Sequence, residues 1–168
     1  MEIRDLSEFI HYLDRIHQRT RRVIDQIPPD KIEWRFKDGA FSFGDIIRHL
    51  ANLQRYMYAE TIRFKESRYP GHDSSFVSGY TQIVEYFETK FNESRRIFLE
   101  ITVKDLERKC TTPGNVEIRV WKWLRSMIEH EIHHRGQLHT LLNLVDQDSP
   151  PLYGLTSEQV KDRSKPLG

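Results

Sequence analysis

Apolar residues recur every three or four positions along four long stretches of this chain. A stripe with that period is one face of an α-helix, and it becomes stable only when buried against another such face. The first stretch runs from about Asp5 to Ile27 and carries Leu6, Phe9, Leu13, Ile16, Thr20, Ile24 and Ile27, with Pro28 and Pro29 ending it. The second begins at Ser42, an N-cap residue with Asp45 in the first turn, and ends before Pro70-Gly71. Its inner side holds Ile46, His49, Leu50, Leu53, Tyr56, Met57 and Glu60. The third spans Gly79 to Ile101, with Tyr80, Val84, Phe87, Phe91, Ser94, Phe98 and Ile101 as its seam. The fourth runs from Arg119 to Val145 with Trp121, Leu124, Ile128, Leu138, Leu142 and Val145, before Pro150 and Pro151. Between the third and fourth, Thr112-Pro113-Gly114-Asn115 reads as a turn that would join two short extended pieces. Thr156 and Gln159 have capping-box spacing, so a short tail helix is expected to start there. With no strong strand signal, the pattern predicts an all-α four-helix bundle over residues 5–146, a tail over 147–168, and one domain over 1–168.

The chain's 168 residues suffice for one hydrophobic core, and 38% hydrophobic with 30% charged content suits a globular protein. No apolar run approaches the roughly 20 residues that span a bilayer, so no membrane partner is expected. The N-terminus is charged and lacks an apolar signal region, and the lone Cys110 can form no internal disulfide. Both point to a cytoplasmic protein. Twenty-six basic and 25 acidic residues give a net charge of +1, which leaves no electrostatic footprint for nucleic acid. A small-molecule substrate is the expected partner. The unusual count is eight histidines, three of them within His130-Glu131-Ile132-His133-His134.

Helix geometry separates those three. With Leu124 at zero and about 100° per residue, the apolar arc of the fourth helix extends from about −100° to about +60°. His134 falls at about −80° and His130 at about −120°, one turn apart on one margin of that arc. His133 falls at about 180°, on the solvent face. An inward i, i+4 pair can aim two imidazole nitrogens at one point, as a metal ion requires. His49 lies on the inner side of the second helix, among Ile46, Leu53 and Tyr56. Alone it reads as a buried histidine with hydrogen-bond partners. Joined to the pair it completes a tripod, and three imidazoles with an open position describe a catalytic rather than a structural site. His17 also points inward, and reads as a group behind the ligands or an ordinary buried histidine before it reads as a further ligand. His11, His72 and His139 read as surface or boundary residues. Asn52 and Tyr56 are candidates for supporting His49.

His130-Glu131-x-x-His134 also matches the zinc-protease signature H-E-x-x-H, in which the glutamate is the general base. The extension of that motif requires Gly at 137 and His at 140, where this chain has Gln137 and Thr140. Glu131 lies at about −20°, roughly 100° from His130, with Arg135 at i+4. A buried ion pair fits it as well as a catalytic base, which leaves Glu131 a weak catalytic candidate and other catalytic residues unassigned. Cys110 has no evident histidine partner and reads as an incidental or buried thiol. Gly136 suggests close packing beside the site. Arg135 and Gln137 either orient ligands or solvate the helix.

Two segments resemble the DinB/YfiT-like superfamily. Phe41-Ser42-Phe43-Gly44-Asp45-Ile46-Ile47-Arg48-His49-Leu50 looks like that family's second-helix entry with its single histidine. His130-Glu131-Ile132-His133-His134-Arg135-Gly136-Gln137-Leu138 is similar to its fourth-helix H-x-x-x-H-R-G-Q pattern and is the more specific of the two. The resemblance implies a four-helix bundle, often a homodimer, with His49, His130 and His134 in the three metal-ligand positions. It further implies a divalent metal, zinc, nickel or iron. It also implies relatives that use a low-molecular-weight thiol, among them bacillithiol transferases and mycothiol-dependent maleylpyruvate isomerases. A transferase or hydrolase is the expected activity; a non-catalytic metal-binding or small-molecule-binding bundle of the stress-response kind is the alternative.

Overall fold

The structure is a computed structural model, and it describes residues 2–165. Helix α1 (Leu6–Ile24) starts at Asp5, whose carboxylate accepts hydrogen bonds from the Ser7 and Glu8 amides. These are donors that a helix N-terminus otherwise leaves without partners. Helix α2 (Phe43–Asn52) opens on a capping box of Ser42 and Asp45. It continues through a π-helical turn (Leu53–Tyr58) into α3 (Ala59–Ile62). Helix α4 (Tyr80–Glu100) is followed by short α5 (Val103–Glu107), strands β1 (Lys109–Thr111) and β2 (Glu117–Arg119), long α6 (Val120–Leu144) and the tail helix α7 (Ser157–Arg163). The strands pair antiparallel with Cys110 opposite Ile118, and the turn between them places Asn115 at φ 57°. Thr156 and Gln159 form the capping box expected of the tail helix.

The four-helix bundle is built by α1 packing on α4 and α6, and α2 packing on α4 and α6. Its core falls into two apolar clusters. One holds Leu13, Ile16, Leu53, Phe98 and Leu124; the other holds Val23, Ile24, Phe43, Ile47, Phe87 and Leu138. Between them, where α1 passes residues 17–20, α2 reaches Asn52 and α6 passes residues 130–135, lie the buried polar side chains His17, Thr20, Asn52, Glu131, His134 and Arg135. This polar layer across the middle of the bundle sets the level of the site. Among the described residues, no helix is long and apolar enough to cross a membrane.

The second helical stretch departs from its expected form. A π-helical turn carries one extra residue relative to α-helical spacing, so it rotates everything beyond it. Tyr58, Ala59 and Ile62 consequently face the core, whereas Tyr56, Met57 and Glu60 are only half-buried. The helix also stops at Ile62, well before Pro70. Arg63 leaves helical geometry and Phe64 takes φ 58°, which no helix interior tolerates. The segment after it folds back over α2. Arg68 N–H donates to the Tyr56 carbonyl at 3.1 Å, and Asn52 Nδ2 donates to the Gly71 carbonyl at 2.7 Å.

Candidate metal centre

His49 comes from the last turns of α2, and His130 and His134 from successive turns of α6, at the level of the polar layer. Their rings converge. His130 Nε2 lies 3.2 Å from His49 Nε2 and 3.0 Å from His134 Nε2. All three histidines offer a ring nitrogen within 4.8 Å of the others, and this is the metal-capable group of its kind among the described residues. Nitrogens about 2.05 Å from one ion sit roughly 2.9 Å apart at right angles and about 3.3 Å apart at tetrahedral angles. The two spacings from His130 are those of nitrogens that share one ion, and the third ring nitrogen lies within 4.8 Å of the others.

The protonation states agree with that reading. Burial first, and then the charges of His134, His130 and His72, hold His49 down to about 3. Burial, with His134 and His133, holds His130 down to about 4, and burial lowers His134 as well. The three imidazoles are therefore neutral at physiological pH, as ligands must be. The Gln137 amide oxygen can only accept, so His134 Nδ1, 2.6 Å away, carries the proton and leaves the Nε2 lone pair turned to the other rings. Gln137 Nε2 in turn lies 3.3 Å from His133 Nε2. On the other side, His49 Nδ1 lies 2.7 Å from the Tyr69 hydroxyl, which lies 2.5 Å from His72 Nδ1. Lone pairs converging on one point repel one another unless a cation lies between them, so the donor set fits a divalent metal.

The remaining candidates fall into place by their contacts. His133 is exposed, as the helical wheel requires. His17 stacks between Phe87 and Phe91 at centroid distances of 4.8 and 3.5 Å and pairs with Glu88 at 3.0 Å, so it is a buried histidine outside the tripod. Glu131 is buried with Oε1 2.6 Å from Thr20 Oγ1 on α1, and burial raises its pKa. Its carboxyl is turned into the α1–α6 contact, which leaves the H-E-x-x-H match without a base on the histidine side. Arg135 is buried as well, with Nη1 3.5 Å from the Ile16 carbonyl, and orients no ligand. Cys110 is buried, and burial pushes its thiol up to about 11, far from a nucleophile's range. Gly136 corrects an expectation: a Cβ there would meet open space, so no packing within the chain requires a glycine. Tyr56 also differs, since its ring lies under Arg55 and Lys90 rather than beside His49.

Two residues beside His49 escape periodicity. By sequence His72 reads as a surface or boundary residue, yet its ring lies 5.8 Å from that of His49. Tyr69 carries no mark in the sequence. Both lie in a segment without helical period, and only its folding back over α2 brings them to the site. The signal that existed was Arg48, a charged residue between the apolar Ile46-Ile47 and Leu50 of α2. It is fully buried, bridging Glu33 and Asp45 while its Nε donates to the His72 carbonyl at 2.7 Å and its Nη1 to the Val77 carbonyl at 3.0 Å.

The sequence profile of the DinB superfamily matches residues 12–138, from α1 through the histidines of α6. The chain belongs to the DinB superfamily. Among solved structures, a DinB-like protein from Bacillus cereus is similar at 17% identity and TM-score 0.72, over 86% of this chain and 95% of that one. YfiT from Bacillus subtilis, described as a probable metal-dependent hydrolase with an unusual four-helix bundle topology, is similar at 12% identity and TM-score 0.68, over 87% of this chain and 90% of that one. A mycothiol-dependent maleylpyruvate isomerase is similar at 9% identity and TM-score 0.67, over 80% of this chain and 60% of that one. At these identities the likeness is one of fold. Among curated proteins, none matches the chain by sequence.

Proposed function

We propose that this DinB-superfamily protein is a metal-dependent enzyme, a hydrolase or a low-molecular-weight-thiol transferase, with one divalent ion held by His49, His130 and His134. The observation that carries the reading is the convergence of three neutral imidazoles, with Nε2 separations of 3.0 and 3.2 Å from His130. A divalent ion on such a set supplies Lewis acidity and lowers the pKa of a water or thiol that occupies its remaining positions. The chain's own groups do the rest. Gln137 fixes the His134 ring, and α2 and α6 hold the two halves of the tripod in one rigid layer. Aromatic rings border the histidines: Phe41 5.7 Å from His49, and Tyr58 6.0 Å from His130 with Trp123 tilted against it at 4.6 Å. Such a border suits a small, partly apolar substrate and keeps water from the reacting atoms. The names of two fold relatives, a probable metal-dependent hydrolase and a mycothiol-dependent isomerase, support hydrolysis in the one case and chemistry on a small thiol in the other.

The test is elemental analysis of untagged protein beside His49→Ala and His134→Ala, with turnover of activated esters and of a small thiol plus an electrophile. Near-stoichiometric zinc, nickel or iron in the wild type, lost in both variants together with turnover, is the expected result. Equal, substoichiometric metal in all three overturns the tripod. Bound metal with no turnover makes the protein a metal-binding bundle instead. Glu131→Gln is expected to keep its activity, and a fall of about 100-fold or more would make that carboxyl a general base.

A further inference from the structure

Three neutral imidazoles hold a metal only if each presents a lone pair, and an imidazole in isolation divides its proton between two nitrogens. Gln137 removes that freedom from His134. The matching group for His49 lies in the segment that folds back over α2. The Tyr69 hydroxyl is 2.7 Å from His49 Nδ1 and 2.5 Å from His72 Nδ1, and the rings of Tyr69 and His72 stack at an interplanar angle of 20°. A phenol has one proton to donate. When it goes to His72 Nδ1, the oxygen accepts from His49 Nδ1–H, and His49 Nε2 is left bare toward His130 and His134.

The segment is fixed from below by α2 itself. Arg48 donates to the His72 carbonyl and Asn52 to the Gly71 carbonyl, so the residue before His49 and the one three after it hold the backbone just beyond Tyr69. Tyr86 on α4 fixes Asn52 in turn, its hydroxyl donating to Asn52 Oδ1 at 2.6 Å. Two fully buried side chains bonded to the backbone of a segment whose Tyr69 is 43% exposed are hard to explain by packing alone. A hydrogen bond required at one ring nitrogen accounts for them.

We infer that Tyr69 and His72 are positioning residues of the metal centre, a hydroxyl–imidazole relay that sets the tautomer and orientation of His49. The inference rests on the three-histidine reading above and adds to it that the centre extends beyond the helices. Its loss weakens metal binding without unfolding the protein, because the Tyr69 hydroxyl supports nothing in the core.

The experiment measures Zn²⁺ affinity by chelator competition and the visible spectrum of the Co²⁺ form, with urea stability of the metal-free protein as the control. Tyr69→Phe is expected to lower Zn²⁺ affinity by about 10- to 100-fold, the range for removing a hydrogen bond behind a ligating histidine. It should also change the Co²⁺ spectrum, with metal-free stability unchanged. His72→Leu should do the same, whereas His72→Gln, whose amide oxygen accepts the phenol proton, should restore most of the affinity. Wild-type affinity and spectrum in Tyr69→Phe overturn the relay alone. An affinity loss matched by lost metal-free stability, or no rescue by glutamine, assigns the two residues to the fold rather than to His49. A wild type that binds neither ion overturns the metal reading itself.

Discussion

Arg48 is the side chain on which the second helix, the segment over it and the metal centre jointly depend, and replacing it tests that dependence. The guanidinium is fully buried and bridges Glu33 and Asp45, while reaching the carbonyls of His72 and Val77. Its pKa is raised by Glu33 and Asp45 in spite of burial, so the charge is compensated where it stands. Arg48→Met keeps the apolar stem and removes every one of these bonds. Breaking one side of a buried ion pair costs about 3–5 kcal/mol, because the partner charge stays behind. Asp45, at 2% exposure, keeps Arg35 and the Ser42 amide, and Glu33 can reach water, which places the loss at the low end, about 3 kcal/mol. With a urea m-value of about 2 kcal/mol/M for a chain of this size, the midpoint should fall by roughly 1.5 M. Zn²⁺ affinity should fall as well, by about 10-fold or more, since the His72 backbone is released and Tyr69 with it. A midpoint shift below about 0.5 M would refute the buried-charge argument. A full loss of stability with wild-type Zn²⁺ affinity would refute the link between the segment and the site.

Two further outcomes follow from the same geometry. His49 and His130 have folded pKa values pushed down to about 3 and about 4, below the unfolded value of about 6.5, so the unfolded chain takes up protons first as pH falls. Stability of the metal-free protein is therefore whole above about pH 6.5 and should decline steadily from there toward about pH 3. Urea midpoints between pH 7 and 5 should slope in the wild type and slope less steeply in His49→Phe, where His130 still contributes; a flat wild-type profile would contradict the buried, neutral histidines. Gly136→Ala should stabilise the protein by about 0.5–1 kcal/mol and leave Zn²⁺ affinity untouched, because a helix interior prefers alanine and the added methyl meets open space. Destabilisation in a thermal melt would show that something packs on that face.

Much of the tripod could be read from the chain alone. The period of 3.6 residues is a local property, so spacing along α6 was enough to separate inward His130 and His134 from outward His133, and His49 from the polar side of α2. Caps at Ser42 and Thr156 were legible for the same reason, since each is made by side chains within three residues of the backbone they serve. What periodicity could not give is where two helices meet, and what lies between them. The π-helical turn at Leu53–Tyr58 rotated the rest of the second helical stretch, and no residue there announces it. Glu131 and Arg135 share their helix with the ligands, but only the packing of α1 showed that Thr20 takes the carboxyl away from the site. Tyr69 and His72 stand in a segment with no period, and their place beside His49 depends on hydrogen bonds from Arg48 and Asn52, between residues some 20 positions apart. The sequence by itself determined the helices, their buried faces and the direction of three imidazoles, because those depend on neighbours along the chain. The tertiary structure decided the distance between the imidazoles and the groups that hold them, because those depend on which backbone atoms the folded chain brings within reach.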